Sequence, residues 1–178
     1  QFVELSEIIG KSRTDLVRDI EPLVNTFYSQ VAGKEEQVDF RYETKWMEKG
    51  LDRALHEAQH EEVRRGTTLV GPHRDDVIID LNNLVSRTHS SQGEQRSLAL
   101  ALRLSEHAYM AQQIGDSPLI LLDDVFSELD EGRSKRLVEC LPVAQIVLTS
   151  ATGTIPVGIH PGKKLKVLNG RISLGDDV

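Results

Sequence analysis

The sequence predicts an α/β fold, and three successive segments predict it. Residues 90 to 106, "SSQGEQRSLALALRLSE", pass from a polar loop into leucines and alanines with charges at intervals, the pattern of a helix with one buried side. "PLILLDD" (118 to 124) is an apolar run ending in two acids, and "QIVLTS" (145 to 150) is a second apolar run, reached through a short helical stretch around Ser134 to Leu141. A parallel strand is reached only through a crossover, and crossover helices cover the faces of the sheet. Helix, buried strand, helix, buried strand is therefore the order that a parallel sheet leaves in a sequence.

The earlier part of the chain is less regular. From Leu5 to Val31 apolar residues recur at helical spacing with Pro22 midway, so the segment reads as one long bent helix or two short ones. "VDFRYE" (38 to 43) alternates Val38, Phe40 and Tyr42 as a half-buried strand does. A highly charged helix is expected from about Trp46 to Arg65, stopped by Gly66. "TTLVGP" reads as a short strand ended by Gly71-Pro72, and "VIIDLNNLVSRT" as a hairpin turning at Asn82-Asn83. After the two apolar strands a last hairpin turns at Asn169-Gly170. No internal repeat or low-complexity tract appears.

Composition narrows the function classes. The 178 residues are 39% hydrophobic and 28% charged, ordinary for one globular domain or a small domain with a helical extension. With Lys+Arg 21 against Asp+Glu 28 the net charge is -7, so any DNA contact must use a local basic patch or a partner. The single cysteine, Cys140, leaves no internal disulfide framework and fits a reducing cytosol, so a cytoplasmic location is expected. No apolar run approaches the ~20 residues of a membrane span, and no signal-peptide pattern opens the chain. The first residue is Gln1, which is expected of a fragment of a longer protein.

The polar start of the long helix supports two readings. Ser91 and Glu94 stand three apart, so each can satisfy an orphan backbone donor of the other in a capping box, which needs no function. The same geometry, a helix N-terminus with free N–H groups, a hydroxyl and Gly93 for close approach, is also a phosphate-binding surface. Downstream, Asp123 and Asp124 emerge at the C-terminal edge of a strand, where open α/β sheets bind ligands. "SELD" (127 to 130) follows at once, Ser127 and Asp130 framing the next helix as cap residues do.

In that order, loop "SSQGEQ", strand "LILLDD" and turn "SELD" resemble the signature loop, Walker B strand and D-loop of an ABC-type ATPase head. With "TTLVGPHRDD" upstream and "LLDDVFSELD" as the combined strand and turn, the resemblance is closest to the RecF family, ABC/SMC-type ATPases of bacterial DNA repair and recombination. It is dense from about Glu62 to Thr149 and faint elsewhere. It implies the C-terminal half of an ATPase head, a parallel sheet with flanking helices and a signature helix, in residues 66 to 178, and a helical arm-domain segment in residues 1 to 65. It also implies ATP and Mg²⁺ as cofactors: Asp123 holding the metal, directly or through water, Asp124 positioning the attacking water, and Ser91, Gln92, Gly93, Glu94, Ser127 and Asp130 lining the nucleotide side. In the family, ATP closes two heads into a homodimer. Nucleotide state then governs the grip on duplex DNA near single-strand junctions, and RecR and RecO are the protein partners. DNA replication, repair, recombination and the SOS response are the processes implied.

The chain departs from the ABC pattern in three places. Asp124 stands where a glutamate is usual, one methylene shorter. No histidine follows the second strand, where "IVLTSATG" offers only Thr149, Ser150 and Thr152 as replacements for the switch residue. Nothing reads G-x-x-x-x-G-K-[ST]: "VAGKEE" has Gly33 and Lys34 but neither the first glycine nor the hydroxyl residue, so these residues alone do not complete an ATP site. A nucleotide-gated DNA clamp with dispensable hydrolysis is therefore the alternative to an ATPase.

A different class of function rests on "HEAQH" (56 to 60), which matches the zinc protease pattern H-E-x-x-H. Its continuation "EEVRRG" lacks the glycine and third histidine of one major class, and the helix is charged around much of its circumference, as a solvated face is. Two basic clusters, Arg64, Arg65, His73 and Arg74, and Lys163, Lys164 and Lys166, read first as solvated surface. Backbone contact to DNA by the first cluster, or an ion pair of Arg74 with Asp75 or Asp76, is the functional alternative.

Overall fold

A computed structural model describes residues 1 to 175. Helix α1 (Phe2–Ala32) is a single helix that passes through Pro22. Pro22 and Arg18 both lie on its exposed side, where solvent can take the carbonyl that loses its partner, so the proline neither ends nor splits the helix. Its C-terminal half supplies the centre of the core: Val24, Tyr28 and Ala32 pack with Val38 of β1 (Val38–Glu43), Leu81 of β2 (Asp76–Leu81), and Leu98 and Ala101 of α4 (Gln92–Ile114). A second cluster joins Val31 of α1 and Leu104 of α4 to Leu137 of α5 (Glu131–Cys140).

Strand β1 pairs antiparallel with β2, which turns back into the two-residue β3 (Leu84–Val85) through Asn82 and Asn83, with φ of 51 and 64°. Two successive left-handed residues make the turn type whose twist matches a hairpin, and asparagine tolerates that region better than most side chains. The expected hairpin is present, but its return strand gives way at once to a short helix, α3 (Ser86–His89). The free edge of β1 is met by α1. The Asn25 amide donates to Val38 O at 2.6 Å and accepts from Val38 N–H at 2.8 Å, replacing one pair of ladder bonds. Asn25→Ala leaves both backbone groups unpaired at a half-buried edge and is expected to cost about 1–3 kcal/mol, read as a lower midpoint in denaturant unfolding.

Two expected boundaries move. The charged helix α2 (Leu51–Arg65) begins at Leu51, because Gly50 at φ 82° interrupts the chain; Trp46 is instead 2% exposed in a small cluster with Leu51, Ala54 and Val70. The expected strand "TTLVGP" does not form. Leu69 N–H donates to Glu62 Oε1 at 2.7 Å and Thr68 O accepts from Arg74 Nε at 2.7 Å, so side chains rather than a neighbouring strand satisfy this backbone.

The parallel pair is as predicted. Strands β4 (Ile120–Asp123) and β5 (Ile146–Thr149) run parallel, Ile120 opposite Ile146 and Asp123 opposite Thr149, with α5 as the crossover between them. The α/β class holds. Full burial of these strands does not: Leu121 is 69% and Val147 46% exposed, because among the described residues the sheet has only these two strands. The last hairpin, β6 (Leu165–Leu168) and β7 (Arg171–Leu174), turns at Asn169-Gly170 as expected and is exposed along both strands.

Candidate functional site

The register of β4 and β5 builds the first half of the site. Because Asp123 is paired with Thr149, the threonine hydroxyl donates to Asp123 Oδ1 at 2.5 Å and accepts from Asp124 N–H at 3.0 Å. Asp124 then takes a left-handed conformation, φ 49°, which costs an L residue about 1–2 kcal/mol but suits a short polar side chain. The turn folds its carboxylate back: Oδ1 accepts from Ala151 N–H at 3.1 Å and Oδ2 from the Ser127 hydroxyl at 2.9 Å. Two adjacent acids are thereby held by β5 and by the following turn. Of the three hydroxyls left open by the sequence, Thr149 is the one that meets the acids, while Ser150 and Thr152 lie 3.2 Å from each other.

Ser91 and Glu94 form the second half. Both arms of the capping box are made: Ser91 Oγ accepts from Glu94 N–H at 3.3 Å, and Ser91 N–H donates to Glu94 Oε2 at 2.8 Å. The Ser91 hydroxyl also donates to that oxygen at 2.8 Å. These bonds, the backbone one first, hold the Glu94 carboxyl below its ordinary range, with Lys34 assisting from 3.7 Å. Lys34 arrives there because α1 ends in a left-handed Gly33, φ 67°, which turns the "VAGKEE" segment toward the start of α4. Gln92 is exposed at the first helical position, and Gly93 follows it.

The turn between the acids and α5 links the two halves. Asp130 caps α5, its Oδ1 accepting from Arg133 N–H at 2.9 Å, and that bond keeps its carboxyl below the usual range. Ser127, expected to share in capping, instead pins Asp124. Arg96 of α4 reaches back to the turn, donating to Glu128 O at 3.1 Å. Arg96 and Arg133 escaped the sequence reading, since neither is a named motif position; only the spacing of Arg96 from Gly93 and of Arg133 from Asp130, three residues each, signals them, while Lys34 figures in the sequence only as part of an incomplete phosphate loop.

The arrangement can be set beside known proteins. The DNA replication and repair protein RecF of Geotalea uraniireducens (strain Rf4) is 37% identical over 185 residues, covering 97% of this chain and 51% of that protein. That of Geobacter metallireducens is 43% identical over 152 residues, covering 79% and 41%. A solved structure of the recombination mediator protein RecF with ATP in the RecFOR pathway superposes with a TM-score of 0.79 at 26% identity, covering 98% of this chain and 48% of that one. The chain belongs to the RecF family. It corresponds to the C-terminal part of RecF and spans about half the length of the curated relatives it matches. A second RecF structure, with ATPrS, matches in fold with a TM-score of 0.78 at 24% identity. No family model matches the chain.

The remaining motifs of this RecF-family chain are locally accounted for. In "HEAQH" both histidines are exposed on α2, and Glu57 is engaged by Lys49 at 2.5 Å and Arg53 at 3.0 Å. These bonds, to Lys49 first, lower the Glu57 pKa. Among the described residues no group of three or more His, Cys, Asp or Glu is placed to share a metal, so the pattern gains no third ligand. Arg64 and Arg65 both pair with Glu61. Arg74 does not pair with Asp75 or Asp76: it donates to Thr68 O and to Thr67 Oγ1, while Asp75 accepts from Tyr42 at 2.6 Å and Trp46 at 3.0 Å. Among the described residues no helix is long and apolar enough to cross a membrane.

Proposed function

We propose that the chain is the signature and Walker B half of an ATP-dependent DNA repair clamp, and that it works in a homodimer of the full-length protein. The observation that carries this is the link, through Arg96 of α4 and Glu128 of the turn, between Asp123, Asp124, Ser127 and Thr149 at the C-terminal end of a parallel strand pair and the Ser91-capped start of α4. Ser91 and Gly93 of one head would meet the γ-phosphate bound by the other, with Gln92 between them, since helix N–H groups favour anions, while Glu94, its charge held by Ser91 and offset by Lys34, would line the site by fixing that turn. Asp123 suits Mg²⁺, a hard cation that needs only one or two carboxylates when substrate phosphates complete its shell. When bound, the metal supplies charge neutralisation. Asp124, fixed by Ala151 and Ser127, would orient the attacking water, because phosphoryl transfer depends mainly on placement and charge.

Residues 66 to 178 would form the head and residues 1 to 65 the arm segment, with the C-terminal half of α1 seated in the head's core. Duplex or junction DNA, RecR and RecO would be the partners, in the cytoplasm and in the SOS response. The solved structure of the recombination mediator protein RecF with ATP in the RecFOR pathway supports this reading. A clamp in which binding matters and turnover is dispensable is the second reading, favoured by Asp124 standing one methylene short of glutamate.

Calorimetric titration of the full-length protein with ATP, with and without Mg²⁺, tests the assignment. Wild type is expected to bind more tightly with the metal, and Asp123→Ala to lose that difference while melting at the wild-type temperature. An Asp123→Ala protein that keeps the full metal dependence would remove Asp123 from the site.

A further inference from the structure

Two arginines cross between the start of α4 and the turn that follows the acids. Arg96 donates through Nη1 to Glu128 O at 3.1 Å and lies 3.4 Å from Glu128 Oε2 through Nε. In the opposite direction Arg133, in the first turn of α5, anchors Nη1 on Asp130 Oδ2 at 2.8 Å and lays the rest of its guanidinium over Gly93. A Cβ at Gly93 would stand 2.9 Å from Arg133 Nη2 and 3.1 Å from Nη1. Gly93 is helical, so glycine serves space there rather than backbone conformation. Arg133 Nε is buried without a partner among the described residues. An unpaired buried donor opposes folding, so the packing over Gly93, together with the bond from Nη1 to Asp130, holds this side chain in place.

We propose that Arg133 is a positioning residue which, with Arg96, clasps the turn from Val125 to Asp130 onto the N-terminus of α4, so that the acids and the Ser91–Gly93 turn move as one body. The consequence rests on the function proposed above. In a pair of heads Ser91 and Gly93 serve the neighbour's nucleotide while Asp123 and Asp124 serve the chain's own. The clasp makes the placement of one depend on the other, and each head reports the state of one ATP to the second.

Hydrogen exchange on the full-length protein without nucleotide tests the clasp. Arg133→Gln lies on α5, yet it is expected to speed exchange of amides 127 to 131 by about tenfold, the factor that losing one charge-assisted hydrogen bond gives, and of amides 94 to 97 by a few-fold as the cover over Gly93 is lost. Arg96→Gln should do the same to amides 126 to 130. Arg133→Lys keeps the charge but not the flat fork and should behave like Arg133→Gln. Gly93→Ala displaces the guanidinium while leaving Arg133 in the sequence, and combined with Arg133→Gln it should exchange no faster than either variant alone. Acceleration confined to α5, or additive effects in the double variant, overturns the clasp. With ATP added, Arg133→Gln should bind nucleotide normally and dimerise about tenfold more weakly. Should wild type stay monomeric with ATP, the paired-head reading fails, and the exchange result still decides the clasp.

Discussion

Full-length protein carrying Ser91→Asp is expected to bind ATP as a monomer and to fail to dimerise in sedimentation with ATP present. As a helix cap, aspartate is at least the equal of serine, and its charge suits the positive end of the helix dipole. The Ser91 hydroxyl, however, also donates to Glu94 Oε2 at 2.8 Å, and a carboxylate placed there meets Glu94 as a like charge. That contact is exposed, and Lys34 lies 3.7 Å from Glu94 to receive a displaced carboxylate, so the melting temperature should fall by only a few degrees at most. Against a neighbour's γ-phosphate the outcome is different. Like charges ~4 Å apart at an effective dielectric of 20 repel by roughly 4 kcal/mol, about a thousandfold in dimer affinity. Ser91→Asn caps without charge and is the control; it should dimerise within a few-fold of wild type. Dimerisation by Ser91→Asp equal to that of Ser91→Asn would leave "SSQGEQ" as a helix start and nothing more.

Asp124→Asn should separate binding from turnover. Asparagine is tolerated in the left-handed conformation that residue 124 adopts, φ 49°. It can keep its oxygen on Ala151 N–H and turn its amide toward Ser127, whose hydroxyl can rotate from donor to acceptor. Fold, ATP binding and ATP-driven dimerisation are therefore expected to persist. What is lost is the negative charge beside the water, and turnover by the full-length protein should fall by about 10²- to 10⁴-fold, the range for removing a positioned base. Wild-type turnover in Asp124→Asn would remove Asp124 from the mechanism. A variant that no longer hydrolyses ATP but still supports repair in cells would favour the clamp over the ATPase.

Much of the architecture was legible because it is written in neighbouring residues. The Ser91/Glu94 box, the Asp130 cap and the turns at Asn82-Asn83 and Asn169-Gly170 each depend on side chains within three positions of the backbone they satisfy. The errors fall where distant groups intervened. "TTLVGP" has strand composition, but Glu62 and Arg74 took its backbone groups, and no strand lies beside it among the described residues. Arg74 and Asp75 are adjacent in sequence, yet Tyr42 and Trp46, 33 and 29 positions from Asp75, claimed the carboxylate.

By itself the sequence determined the α/β order, the starts of α4 and α5, the hairpin turns and the two acids at the end of β4, because hydrophobic period and capping act within one or two turns of chain. Only the tertiary structure decided that Thr149 rather than Ser150 or Thr152 holds Asp123 and Asp124, and that Arg133 lies over Gly93. The first depends on the register of β5 against β4, across 26 residues, and the second on how α4 and α5 both pack on α1, where Val31, Leu104 and Leu137 share one cluster. Register and packing are set by the whole buried surface at once, so no short stretch of residues encodes them.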